Sequence, residues 1–163
     1  MKHLLELLKW DHLRFTALLN YLVGIFEGLE RDEEPDYAEF IELITYLKPA
    51  LKGSHQAEEL ALWQRLSQYA GPQHGTVKRM ETLHRAVVDK GMALESGVRA
   101  AQAGARLPVE RLQRLADDFV SAFREQMAIE EQTIFPLLES VVPEHEWCSD
   151  AASAANSDQP RGE

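Results

Sequence analysis

An antiparallel up-down-up-down four-helix bundle of the all-α class is the fold that this sequence predicts, and three observations lead to it. Four long segments carry apolar residues at the roughly 3.6-residue spacing of a core-facing helix stripe. Gly and Pro separate these segments near residues 28–36, 70–75 and 103–109. The alternation typical of strands is absent from the sequence. Because the connections are short, neighbouring helices are expected to run antiparallel.

The first two segments each predict one amphipathic helix with polar members in its stripe. The first stripe comprises Leu5, Leu8, His12, Phe15, Leu19, Leu22 and Phe26. The second comprises Phe40, Ile44, Leu47, Leu51, His55, Glu58 or Glu59, Leu62 and Leu66. Pro49 predicts a kink in the second helix, because proline removes one backbone hydrogen bond and crowds the preceding turn.

The last two segments complete the predicted bundle. The third stripe comprises Val77, Met80, His84, Val87, Gly91, Leu94 and Val98. The fourth comprises Leu112, Leu115, Phe119, Phe123, Gln126, Glu130, Ile134 and Leu137. We expect one domain over residues 1–147 and a disordered C-terminal tail over residues 148–163, because the tail lacks large apolar side chains that could offset its ordering entropy.

Composition excludes several classes of partner. Lys and Arg number 17 against 27 Asp and Glu, and the resulting net charge of −10 disfavours nucleic acid and anionic membrane surfaces. No apolar run approaches the roughly 20 residues of a membrane-spanning helix. The single cysteine, Cys148, excludes an internal disulfide and a cysteine-based metal site, and it fits a reducing cytoplasm.

Each stripe carries polar side chains near its middle, where a leucine would be expected. These exceptions are His12, His55 with Glu58 or Glu59, His84, and Gln126 with Glu130 or Glu131. In an up-down bundle such positions lie at similar depth and can converge on one interior point.

An unpaired buried carboxylate costs several kcal/mol or more, against a domain stability of about 5–15 kcal/mol. No Lys or Arg lies on the stripes at this level, so the compensating charge comes from protonated histidines or from a bound cation.

Residue chemistry narrows the kind of cation. Histidine with carboxylate suits iron, manganese or zinc, whereas magnesium and calcium prefer all-oxygen sites. His55 and Glu59 stand four residues apart on one helix face, so both can reach the same metal or adjacent metals. The segments "SHQAEELALWQRL" (54–66) and "QMAIEEQTIFPLL" (126–138) also align at their Glu-Glu pairs, which predicts two carboxylate-bearing helices across the core.

With these residues the chain resembles the bacterial hemerythrin-like proteins of the HHE cation-binding family. "WDHLRFTALL" is similar to the family's first-helix histidine motif, and "HQAEE" to its His-x-x-x-Glu motif. "METLH" is similar to its third-helix motif ending in histidine, and "AIEEQTIFPLL" to its Glu-Glu…Phe-Pro motif. The resemblance spans about residues 8 to 140, in the family's order and spacing.

The resemblance implies a non-haem di-iron centre in the bundle core. The terminal ligands it implies are His12, His55 and His84, and the bridging carboxylates are Glu59 and Glu131. Glu130 is the alternative to Glu131, since it fits the apolar stripe better.

Two departures leave this centre short of nitrogen ligands. Gln126 stands where the family has a fourth-helix histidine, and Met80 stands where oxygen-carrying members have the first histidine of a third-helix pair. Glu58, Glu81, Gln126 itself or water can complete the shell. A single metal, an asymmetric pair and an empty site therefore all stay open.

These residues are consistent with three functions. The leading hypothesis is a cytoplasmic iron protein that binds or senses O₂, NO or peroxide, or that stores or delivers iron, at open coordination positions. The second is a di-iron enzyme that reduces peroxide or NO. The third is a metal-free structural or interaction bundle, in which histidinium and carboxylate groups satisfy one another and chelation leaves stability unchanged.

Overall fold

The fold follows the four predicted segments closely. The structure is a computed structural model that describes residues 2–29, 36–70 and 75–143. Its helices are α1 (Lys2–Leu29), α2 (Tyr37–Lys52), α3 (Ser54–Ala70), α4 (Gly75–Gln102), α5 (Val109–Ile129) and α6 (Phe135–Val141), with a π-helix (Glu130–Ile134) joining α5 to α6. No strand occurs in these three ranges. The predicted all-α helical bundle is confirmed.

The second segment forms two helices instead of one. It is interrupted at Gly53, which has extended backbone angles of φ −134° and ψ −154° and separates α2 from α3. Pro49 lies one turn earlier and has no N–H to donate, and glycine loses the most conformational entropy when it enters a helix. The helix is therefore broken four residues beyond the proline where a kink was predicted.

Local hydrogen bonds explain where two helices begin and end. The Asp36 carboxylate accepts hydrogen bonds from the backbone N–H groups of Ala38 and Glu39, at 3.0 and 3.1 Å, and so caps α2. Beyond α4, Gly104 adopts a positive φ of 87°, a conformation that side chains with a Cβ rarely adopt. The chain then re-enters a helix at Val109, as predicted for this break.

Several predicted features fall on residues that the structure does not describe. They are most of the acidic break before α2, the turn at 71–74, Cys148 and the tail at 148–163. Within the described helices, none has a stretch long and apolar enough to cross a membrane.

A layer of buried polar side chains divides the hydrophobic core into two clusters. On α1, Leu8 belongs to one cluster and Phe15 to the other, with His12 between them. Likewise, Phe123 of α5 belongs to the cluster of Phe15, and Ile134 of the π-helix belongs to the cluster of Leu8. Packed apolar side chains therefore enclose the polar layer from both ends of the bundle.

Candidate metal centre

Six polar side chains form the buried layer, and each is at most 8% exposed. They are His12, His55, Glu59, His84, Gln126 and Glu130. The structure thus brings together five of the side chains that the sequence predicted for a metal site, with Glu130 as the sixth. They come from α1, α3, α4, α5 and the π-helix, so the layer exists only when these elements are packed together.

Glu59 stands at the centre of the layer, because its two carboxylate oxygens face different histidines. Its Oε1 lies 2.9 Å from Nε2 of His55, one turn earlier on α3. Its Oε2 lies 3.6 Å from Nδ1 of His84 on α4. The Gln126 amide nitrogen donates to both oxygens, at 3.3 and 3.2 Å. Glu59 therefore links the side chains of three helices.

The two adjacent glutamates of the fourth segment take different positions. Glu130 is fully buried, with Oε2 3.3 Å from Nε2 of His12 and Oε1 accepting a hydrogen bond from the Gln126 amide at 3.3 Å. Glu131 has a side chain that is 49% exposed, and it lies 2.9 Å from the opposite ring nitrogen of His12, Nδ1. The structure thus places Glu130, which fits the apolar stripe, inside the buried layer. Glu131, which the family resemblance implied, lies outside it.

Regular α-helix spacing explains the burial of Glu130, because its N–H donates to the carbonyl oxygen of Gln126 four residues earlier. The π-helix begins at Glu130 and changes the register of the residues that follow it. The Phe135 N–H donates to the carbonyl oxygen of Glu130, five residues earlier, which widens the turn. Pro136 follows at the start of α6, where the wider turn relieves the crowding that a proline ring causes in an α-helix. A π-turn also shifts the later residues by about one position. Leu138 is accordingly buried where the stripe predicted Leu137.

Two of the three histidines are held by carboxylates from outside the layer. Nδ1 of His12 bonds to Glu131, and Nδ1 of His55 lies 3.1 Å from Oδ2 of Asp11. Metal-binding histidines commonly direct their second nitrogen to a carboxylate in this way, which fixes the tautomer and turns the other nitrogen to the metal. Neither ring nitrogen of His84 meets hydrogen-bond geometry with a described side chain, and the contacts of the ring within the layer are with Glu59, 3.6 Å from Nδ1, and Gln126.

Asp11 is the site residue that sequence reasoning missed. It directly precedes His12 on α1, and its partner His55 is 44 residues away. The available signal was weak, because an acidic residue beside a buried helix position is ordinary on a solvated helix. Glu81, which could have completed the ligand shell, is exposed and stands apart from the layer. Met80, which stands in place of a family histidine, packs in the apolar cluster with Leu8.

Burial controls the electrostatics of the layer. It raises the pKa of Glu59 to about 8, although the charge of His12 opposes this shift, and it raises the pKa of Glu130 to about 7. Burial also lowers the pKa of His55 and of His84. For His12 burial acts in the same direction, but the Glu130 carboxylate outweighs it and the pKa is raised. Without a cation, the two carboxyl groups therefore hold protons near neutral pH, and a bound cation would displace them.

The unpartnered atoms of the layer fit a bound cation. Buried polar atoms without a hydrogen bond among the described residues are His12 Nε2, His55 Nε2, both ring nitrogens of His84, Gln126 Oε1 and Glu130 Oε2. Of these, His12 Nε2 and His55 Nε2 face glutamate oxygens at 3.3 and 2.9 Å but without hydrogen-bond geometry. Buried polar atoms in folded proteins are nearly always satisfied, so this concentration in one layer indicates a missing partner. Donor atoms of His12, His55 and Glu59 lie within 4.8 Å of one another. Two ligands on one ion, each at about 2.0–2.2 Å, stand up to roughly 4.4 Å apart, so only small movements would close the site.

Comparison with known proteins agrees with a cation-binding layer. The family model described as the hemerythrin HHE cation binding domain matches residues 3–138. No curated protein and no solved structure matches the chain. The matched range includes every helix that contributes to the buried layer, and it covers most of the chain. The chain is therefore a member of the hemerythrin HHE cation-binding family.

Proposed function

We propose that the buried layer binds two iron ions and that the iron-loaded protein binds a small ligand such as O₂, NO or peroxide. The observation that carries this proposal is the set of buried nitrogen and oxygen atoms left without hydrogen bonds around Glu59. A bound cation would satisfy these imidazole nitrogens and carboxylate oxygens together. The described part of the chain places no Lys or Arg in the layer.

The donor set supports a pair of ions. Glu59 turns one oxygen towards His55 and the other towards His84, and Glu130 likewise divides its oxygens between His12 and Gln126. The donors thus form two groups that share both carboxylates. His12 and His55 supply two imidazole nitrogens to one group, and His84 supplies one to the other. An ion in the group of His84 would therefore keep more open positions.

Iron suits this mixture of nitrogen and oxygen donors, whereas magnesium and calcium favour oxygen alone. Bound iron would supply open coordination positions and a one-electron redox change. The chain would contribute neutral imidazoles, the carboxylates of Glu59 and Glu130 and an apolar surround that limits access of bulk water. Zinc and manganese use similar donors, and the metal-content experiment separates them from iron.

Metal content per chain tests the proposal directly. Protein purified without a histidine tag and loaded anaerobically with ferrous iron should retain about two irons per chain. Glu59→Gln should lose both ions, because Glu59 serves both donor groups. His3→Ala is the matched control, since His3 is exposed near the start of α1. Failure of the wild-type protein to retain iron, or its preference for zinc over iron, would refute the proposal.

Ligand binding is measured on the same preparation. Titration of the ferrous protein with NO should give a saturable change in its absorption spectrum. Sustained multi-turnover consumption of NO or peroxide would instead favour the enzymatic alternative. A saturable signal that is lost in Glu59→Gln and kept in His3→Ala would assign the ligand to the buried layer.

A further inference from the structure

We propose that small uncharged ligands enter the buried layer through the cleft between α3 and α4, on the side of His84. This inference rests on the proposed function for the identity of the ligand. The access route itself rests on the geometry of the cleft and on how the three histidines are held.

The cleft has a volume of about 270 Å³ and ends against the layer. Leu60 and Trp63 of α3 line one side, and His84 and Val88 of α4 line the other. Two further clefts in the described part of the chain, one beside Tyr21 and Tyr46 and the other beside Phe26 and Asp117, include no residue of the layer. His84 thus contacts both the cleft and, through Nδ1, the carboxylate of Glu59.

The lining of the cleft favours a small uncharged ligand. Leu60, Trp63 and Val88 provide apolar walls, and the charges of Glu81 and Arg85 offset each other. Such a lining gives neither anions nor cations a net electrostatic attraction. The volume exceeds the roughly 30 Å³ that one water occupies in the liquid, so diatomic molecules fit without any change in the walls.

His84 is also the histidine of the layer whose ring is held least firmly by neighbouring side chains. The residue is 8% exposed, against 1% for His12 and His55. Glu131 and Asp11 hold the outer nitrogens of those two rings, whereas His84 has no such partner among the described residues and meets Trp63 edge-on at 5.7 Å. The layer is therefore closed on the side of His12 and His55 and weakly held at His84.

Histidine labelling of the metal-free protein tests the route without any iron chemistry. Diethyl pyrocarbonate modifies accessible neutral imidazoles, and mass spectrometry gives a rate for each histidine. His84 should react on the order of tenfold faster than His55, because His84 lines the cleft and His55 does not. Leu60→Trp should fill the cleft and slow His84 by at least about threefold. Leu13→Trp is the matched control, because Leu13 is 64% exposed on α1 and lies outside the cleft.

Association of NO with the ferrous protein provides the second measurement. Leu60→Trp should lower the NO association rate while leaving iron content unchanged, and Val88→Phe should do the same if Leu60→Trp folds poorly by circular dichroism. Unchanged His84 labelling and unchanged NO association in a folded cleft variant would overturn the route but not the proposed function. A wild-type protein that binds iron but no NO would overturn the proposed ligand, and the labelling rates would still decide the route.

Discussion

Glu130 and Glu131 are neighbours in sequence with different surroundings, and their contacts assign them different tasks. Glu130 is fully buried between His12 and Gln126, so its carboxylate is available to a cation. Glu131 is half exposed and meets the outer nitrogen of His12. A carboxylate in that position orients the imidazole and strengthens it as a ligand without itself touching the metal.

Separate substitution of the two glutamates distinguishes these tasks. Glu130→Gln should abolish binding of at least one iron, because it removes a buried anionic donor. Glu131→Gln should preserve the number of irons per chain and weaken their binding by about 10–100-fold. Chelator competition and elemental analysis give both quantities. Loss of iron from Glu131→Gln, with retention in Glu130→Gln, would restore Glu131 as the bridging ligand.

Asp11 is expected to position His55 in the same manner. Asp11→Asn keeps the size of the side chain but removes the anion that favours a proton on Nδ1 of His55. We expect the His55 tautomer to change in metal-free protein and iron affinity to fall by about 10–100-fold. Nitrogen-15 spectra of the imidazole report the tautomer. A purely structural role for Asp11 would lower stability and leave the tautomer as it is.

At the scale of the helix, local geometry determines how the site is built. The π-helix shifts the register between Glu130 and Leu138, which allows both to be buried on the same side despite Pro136. Gly53 breaks the second segment just before His55, so α3 begins at Ser54, one residue ahead of the histidine. Both irregularities adjoin the buried layer, as irregular helix geometry often does at functional sites.

Two glycines in different helices should respond differently to alanine. A Cβ at Gly24 on α1 would meet nothing within 4 Å, so Gly24→Ala should stabilise the protein by about 0.5–1 kcal/mol through helix propensity. A Cβ at Gly97 on α4 would lie 3.0 Å from Leu115 and 3.2 Å from Leu112 of α5. Gly97→Ala should therefore gain less or lose stability. Urea unfolding measures both variants. Equal gains in stability would contradict this, because they would show that the contact between α4 and α5 accommodates the added methyl group.

At the scale of the whole molecule, the buried layer couples stability to protons and metal. The pKa values of Glu59 and Glu130 are raised above 4.5 in the folded state, so these two carboxyl groups bind more protons in the folded chain than in the unfolded chain up to about pH 8. Stability of the metal-free protein therefore falls as pH rises through that window. The lowered pKa values of His55 and His84 act in the opposite direction, but below their ordinary value of 6.5.

Between pH 6.5 and 8 the carboxyl groups and His12 should dominate, because the raised pKa of His12 acts in the same direction. We expect the unfolding free energy of metal-free protein to fall by about 1–3 kcal/mol over this interval. Glu59→Gln should reduce the slope, because an amide replaces one titrating group. Iron-loaded protein should show the reverse trend, since metal competes with fewer protons as pH rises. Urea unfolding with and without chelator measures this, and a pH-independent stability in both forms would contradict it.

The sequence by itself determined the helical bundle and the polar members of its core, whereas tertiary structure decided how those members face one another. Helix periodicity is local, so four apolar stripes interrupted at one level were enough to single out His12, Glu59 and Gln126. The burial of Glu130 follows the stripe that the sequence shows, whereas the burial of Leu138 in place of Leu137 depends on a π-turn. The role of Asp11 depends on a contact between helices distant in sequence. The cleft at His84 likewise exists only where α3 meets α4. Such contacts are non-local, and no periodicity in a single segment encodes them.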